Sequence, residues 1–237
     1  MTVSRPTPTV LSWSGGKDSA LALHELLMDP SIDVRGLLTT VTDGYDRVSM
    51  HGVRTTLLSS QAEALGIPLK TVRIPPRASN EQYERAMLDG LEELGRDGIE
   101  AVAFGDLFLE DVRAYRERLL SGTGLRPLFP LWGKPTPDLA RRFVGCGFRA
   151  VLVCVDPRQI DVSHCGSEYD IALLRALPDR ADPCGENGEF HTFVYDGPMF
   201  TEPIATQRGE VVEREGFVFC DLLPGDERFA TSSRRVT

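Results

Sequence analysis

Ser14-Gly15-Gly16-Lys17-Asp18-Ser19 stands directly after the short apolar run Thr9-Val10-Leu11-Ser12-Trp13 and directly before a segment whose apolar residues recur with helical spacing. A strand, a glycine-rich turn and a helix in that order make a cradle for phosphate. Two adjacent glycines let the backbone turn sharply with its N–H groups aimed inward. Ser14 and Ser19 add hydroxyls, and Lys17 adds a positive charge. The helix that follows offers its unpaired N–H groups and the positive end of its dipole to an anion. A turn that used glycines for geometry alone would need neither two hydroxyls, nor the lysine, nor the aspartate.

Outward from the loop, the chain alternates strand and helix signals. Ala20, Leu23 and Leu27 line one face of a helix closed by Pro30, and 34–41 reads as a buried strand. Val53, Leu57, Leu58 and Leu65 form a second helical stripe ending at Gly66, followed by a strand at 69–74 and the break Pro75-Pro76. Ser79 with Gln82 makes a capping box for a third helix with the stripe Tyr83, Met87, Leu91 and Leu94, and 100–104 is the next strand. This order predicts an α/β fold: a doubly wound, mostly parallel sheet with helices on both faces and ligands beyond the carboxyl ends of its strands.

The segment 127–135 mixes Pro and Gly with apolar residues and is expected to be an ordered boundary, which divides the chain into domains at 1–133 and 134–237. Beyond it, Thr136 is expected to cap and Pro137 to open a short helix, a strand surrounds Val151, and a helix spans 168–177. Strands at 190–195 and 217–222 complete a smaller C-terminal α+β domain, and the residues after Pro224 are expected to fray.

Composition narrows the function classes. A formal charge of −9 over 237 residues argues against holding nucleic acid by bulk attraction. The start, Met1 to Pro8, is too short and polar for a signal peptide, and no apolar run approaches membrane-spanning length, so the expectation is a cytoplasmic protein with no membrane partner. A homodimer is compatible with the sequence. Cysteines at 146, 154, 165, 184 and 220 are odd in number and contain no Cys-x-x-Cys pair, which fits neither a disulfide framework nor a zinc site. Cys154 reads as buried, whereas Cys165 and Cys184 lie in loop-like surroundings that could expose a thiol.

A second cluster of chemistry occupies 182–198, where Gly185-Glu186-Asn187-Gly188-Glu189-Phe190-His191-Thr192 precedes Asp196-Gly197-Pro198. Glu186, Glu189 and His191 are the right groups for metal binding or proton transfer. By residue type alone they fit a polar hairpin with a turn-capping histidine equally well.

The spacing of the first loop matches neither the Walker motif nor the dinucleotide fingerprint. It resembles the PP-loop, Ser-Gly-Gly-x-Asp-Ser, of the ATP pyrophosphatases, which cleave ATP between the α and β phosphates. Together with Gly-Glu-Asn-Gly-Glu-Phe-His-Thr, Asp-Gly-Pro, the stretch Gln61-Ala62-Glu63-Ala64-Leu65-Gly66-Ile67-Pro68 and 127–133, it resembles the diphthine-ammonia ligase family from about Val10 to Phe200.

That resemblance implies a PP-loop, Rossmann-like domain that binds ATP and magnesium, and a C-terminal domain that receives a carboxylate acceptor. In the family the acceptor is diphthine, a modified histidine on elongation factor 2; its carboxylate is adenylated and ammonia displaces AMP. Carried onto this sequence, the nucleotide site comprises Ser12, Ser14, Gly15, Gly16, Lys17, Asp18 and Ser19, with Thr39, Thr40, Gly105 and Asp106 on neighbouring loops. Lys17, Asp18, Glu186, Glu189 and His191 are the catalytic candidates, and Asp18 the metal ligand. Archaeal and eukaryotic members lead into Tyr-Gln-Arg after the fourth strand. Here the chain reads Gly105-Asp106-Leu107-Phe108-Leu109-Glu110-Asp111-Val112-Arg113, which leaves the acceptor open. Two other readings are a PP-loop sulfur-transfer enzyme and a non-catalytic adenine-nucleotide sensor.

Overall fold

The computed structural model describes residues 5–43 and 53–225, so the tail expected to fray lies almost wholly outside the described residues. Its elements in chain order are β1 (Thr7–Ser12), α1 (Lys17–Met28), β2 (Ile32–Thr42), α2 (Thr55–Leu65), β3 (Leu69–Ile74), α3 (Asn80–Arg96), β4 (Ala101–Ala103), α4 (Glu110–Leu120), β5 (Arg126–Leu128), α5 (Thr136–Gly145), β6 (Arg149–Val155), α6 (Ile171–Ala176), β7 (Phe190–Asp196), β8 (Thr206–Arg214) and β9 (Phe217–Pro224).

Of the described residues, 5–14, 18–43 and 67–134 form one unit. Its sheet has the order β3-β2-β1-β4-β5 with every pairing parallel, so the doubly wound expectation holds. The order reverses between β1 and β4, and in such sheets the crevice at the reversal takes the ligand. On one face Val10, Leu38, Val72 and Val102 pack against Met87, Leu91 and Leu94 of α3 and Leu119 and Leu120 of α4. The capping box of α3 forms as expected: Gln82 N–H donates to Ser79 Oγ, and Ser79 N–H donates to Gln82 Oε1.

One local expectation fails and two further elements were not read, each for a physical reason. Leu27 is half exposed, because α1 buries Ala20, Leu21, Ala22, Leu23 and Leu26 and lets only its last turn project. The strongly charged α4 went unpredicted, since Leu119 and Leu120 are its only buried residues. Within the expected boundary, β5 is an edge strand, where Pro127 is tolerated because no ladder partner needs its missing N–H.

Of the described residues, 15–17, 53–66 and 135–225 form the other unit. Its antiparallel sheet has the order β7-β6-β9-β8, with β6 buried from Ala150 to Val155. Along the chain the last change of unit falls between Lys134 and Pro135. Lys134 stays with the first unit through an ion pair to Glu25 at 2.9 Å. α2 joins the second unit, where Arg54 just before the helix pairs with Asp221 of β9 at 2.6 Å. In α5 the N-cap is Pro135 and Thr136 already belongs to the helix, which has no side-chain cap. α6 is shorter than 168–177 because Asp170 caps it by accepting from Leu173 N–H. β8 was missed because its residues are polar and exposed, leaving little alternation to read.

Candidate active site

The glycine-rich loop between β1 and α1 follows directly from strand lengths. β1 stops at Ser12 opposite Leu38, and Trp13 N–H extends the pairing by one bond to Leu38 C=O at 2.7 Å. Thr39 and Thr40 therefore fall level with the start of the loop, although β2 itself runs on to Thr42 and they lie within the strand. The chain turns at Gly15, with φ +77°, and α1 opens at Lys17. Ser14 Oγ and Ser19 Oγ lie 3.1 Å apart. Just past the end of β4, Gly105 meets the first turn of α1. A Cβ there would sit 3.0 Å from Asp18 C and 3.1 Å from Ser19 N.

The interior of the loop is held by residues far away in sequence. Gly15 C=O accepts from Val194 N–H of β7 at 2.9 Å and from Gln61 Nε2 of α2 at 3.0 Å. Lys17 N–H, one of the end donors of α1, is satisfied by Thr192 Oγ1 at 3.0 Å. The Lys17 side chain is only 4% exposed, with Nζ 5.5 Å from the Phe190 ring centroid and 5.8 Å from that of Tyr169. Faces of aromatic rings attract an ammonium group, so the lysine is packed as well as charged. The two motifs singled out in the sequence thus touch, through Gly15 and Lys17 on one side and Phe190, Thr192 and Val194 on the other.

The turn that precedes β7 is organised by Glu189, which is 1% exposed. Its Oε1 accepts from Asp182 N–H at 2.8 Å and Asn187 Nδ2 at 3.2 Å, and its Oε2 accepts from Asn187 N–H at 3.0 Å. Asp182 Oδ2 in turn accepts from Glu186 N–H at 3.0 Å. Three donors from its own turn occupy this carboxylate, which therefore shapes that turn. Glu186 and His191 are half-buried, with His191 opposite Cys154 across the β6–β7 pairing.

Asp106 is placed beside α4, where its Oδ2 lies 3.5 Å from Arg116 Nε and both atoms are buried without a hydrogen bond. Burial pushes its carboxyl above the usual range, against the pull of Arg116. Among the described residues no three His, Cys, Asp or Glu side chains converge on a metal position. Magnesium that travels with nucleotide phosphates draws on only one or two protein carboxylates. Asp18, half-exposed in the first turn of α1, fits that demand.

The thiols run against one expectation. Cys184 is buried, its Sγ 3.4 Å from Thr136 C=O, and Cys165 is half-buried. Burial pushes the thiols of Cys154 and Cys165 up to about 12. Sequence reasoning also missed the contacts that Gln61, Tyr169 and Thr192 make with the loop, and that Arg116 makes with Asp106. For Gln61 a signal existed: it is a polar residue on the buried stripe that contains Leu57 and Leu58.

Two family models match the chain, one on each side of residues 128–134. Residues 7–127 match the description "Diphthamide synthase N-terminal domain", and residues 135–222 match "Diphthamide synthase C-terminal domain". The chain belongs to the diphthamide synthase family. Relatives named diphthine–ammonia ligase include those of Bos taurus, 24% identical over 88% of this chain and 86% of theirs, and Homo sapiens, 25% identical over the same shares. The Rattus norvegicus relative is 28% identical over 75% of this chain and 70% of its own. Among solved structures, a predicted subunit of tRNA methyltransferase from Methanocaldococcus jannaschii aligns over 62% of this diphthamide synthase family chain and 80% of its own, with TM-score 0.40 and 20% identity.

Proposed function

We propose that this chain is an ATP-dependent ligase that converts a carboxylate into its amide with ammonia, in the manner that the name diphthine–ammonia ligase states for its relatives. The observation that carries the reading is the loop Ser14 to Ser19, which opens α1 at the end of β1, beside the reversal of strand order, with Gly105 packed against the backbone of Asp18 and Ser19.

The reaction needs activation, because a carboxylate has no leaving group for ammonia to displace. An acceptor carboxylate oxygen attacks the α-phosphorus of ATP, the bond from that phosphorus to the α–β bridging oxygen breaks, and pyrophosphate departs with the electron pair. Ammonia then attacks the acyl carbon, the acyl–oxygen bond breaks, AMP leaves, and a proton is lost from nitrogen. Ser12, Ser14, Gly15, Gly16, Lys17, Asp18 and Ser19 bind the phosphates, with Thr39, Thr40, Gly105 and Asp106 bordering the nucleotide. Backbone N–H groups and the fixed Lys17 charge stabilise negative charge that develops on the departing pyrophosphate. Magnesium, held by Asp18 and the phosphates, would neutralise part of that charge. Glu186 and His191 orient the acceptor or take the proton from nitrogen, while Glu189 keeps their turn in shape.

Diphthine on elongation factor 2 is the first acceptor to try. The high-lying thiols of Cys154 and Cys165 give no support to the sulfur-transfer reading, which would be helped by a thiolate. The test is to incubate the protein with ATP, magnesium, ammonium and diphthine-bearing elongation factor 2 or other carboxylates. Amide together with AMP and pyrophosphate supports the proposal, and ATP binding without turnover in every mixture would favour a sensor.

A further inference from the structure

Gln61 is 0% exposed, yet it is a polar side chain in the middle of the buried face of α2. A buried carboxamide is costly unless its donors and acceptor are used. Both protons of Nε2 have acceptors: Gly15 C=O at 3.0 Å and Val194 C=O at 2.6 Å. Val194 N–H also donates to Gly15 C=O at 2.9 Å. The loop carbonyl, the strand β7 and the α2 side chain therefore close one small network. There is no slack around it, since a Cβ on Gly15 would lie 2.6 Å from Leu58 Cδ2 and 2.8 Å from Gln61 Oε1.

We infer that Gln61 is a positioning residue for the phosphate loop, setting the aim of its N–H donors and tying that aim to β7, the strand that carries His191 and Thr192. The step from contact to function is geometric. A trans peptide is planar, so its carbonyl and the next N–H point in opposite directions. Two donors holding Gly15 C=O against α2 and β7 thereby turn the Gly16 N–H to the other side of the peptide. One residue further on, Thr192 of the same strand takes Lys17 N–H at 3.0 Å, so the β7 backbone and side chains fix the loop at two successive places. A shift of β7 then rotates these peptides, and Gln61 transmits that shift because it bonds strand and loop at once.

This inference rests on the reading that ATP is the ligand of the loop, and the experiment separates the two. ATP binding is measured by calorimetry, alongside thermal melting, for the wild type, Gln61→Met, Gln61→Glu and Thr201→Val. Gln61→Met keeps the shape of the side chain and removes both donors, and Gln61→Glu replaces them with a carboxylate facing two carbonyls. Thr201→Val is the control: it removes a bond to the same helix, from Thr201 Oγ1 to Ala64 C=O at 2.9 Å, without touching the loop. The expected result is an ATP Kd about tenfold or more weaker in both Gln61 variants, the scale of losing one or two buried hydrogen bonds. Thr201→Val should melt at a lower temperature and bind ATP as the wild type does. Wild-type affinity in either folded Gln61 variant, or an equal loss in Thr201→Val, would overturn the inference. Failure of the wild type to bind ATP would instead overturn the proposed function.

Discussion

Replacing Gly105 with alanine tests whether the end of β4 sets the entrance of α1. The added Cβ would stand 3.0 Å from Asp18 C, 3.1 Å from Ser19 N and 3.2 Å from Asp18 O. Carbon contacts are comfortable at about 3.5–4.0 Å, so each of these is too close by a few tenths of an ångström. All three neighbours are backbone, and none can swing aside as a long side chain would. Overpacking of this kind costs about 1–3 kcal/mol, and each 1.4 kcal/mol corresponds to about a factor of ten in an equilibrium constant. If the strain is relieved by pushing the first turn of α1 out of place, ATP binds about five- to a hundredfold more weakly, as calorimetry would show. A suitable control is Gly95→Ala in α3, where the nearest atom to a new Cβ is Leu125 Cδ2 at 4.0 Å. That substitution should be neutral or mildly stabilising, because alanine suits a helix better than glycine. A Gly105→Ala protein with wild-type affinity and wild-type melting temperature would refute the reasoning.

Asp18→Ala should abolish ATP turnover with little change in melting temperature, whereas Lys17→Ala should abolish turnover and also destabilise the protein, because its side chain is packed against Phe190 and Tyr169; turnover and thermal melting check both. Cys165→Ser and Cys184→Ser should keep most activity, with a stability loss in Cys184→Ser where the thiol is buried, and loss of turnover in a well-folded variant would point to thiol chemistry. Asp156 is held down to about 2, chiefly by hydrogen bonds from the Arg158 side chain. Its stabilising effect is therefore complete above the unfolded pKa near 3.8 and fades as pH falls towards 2, so Asp156→Asn should melt below the wild type at pH 7 and together with it near pH 2.

The first unit was legible because its signals are local and redundant. The strand at 69–74 and the capping box at Ser79 were read correctly, since each is written in adjacent residues. The strand-loop-helix at Ser14 to Ser19 was legible for the same reason: a strand, two glycines and a helix start are consecutive. What holds that loop was not. Val194 lies 179 residues from Gly15 and Gln61 lies 46 residues from it, and only folding brings them together. The hydrogen bonds of Glu189 to its own turn were not legible, because a carboxylate that serves its own turn and one that serves a substrate look alike in sequence. Their difference is burial and donor count, which are properties of the folded turn. Likewise α4 and β8 escaped notice because they are mostly solvated, which leaves no clear apolar period to mark them.

The central claim is that ATP is split between its α and β phosphates in order to join ammonia to a carboxylate. Its most direct test uses ATP, magnesium, isotopically labelled ammonium and diphthine-bearing elongation factor 2 or another carboxylate substrate, with all products quantified. The account predicts equal amounts of AMP, pyrophosphate and labelled amide, and no net product when ammonium or the acceptor is left out. Formation of ADP and phosphate, or transfer to the acceptor without the nitrogen label, would contradict it.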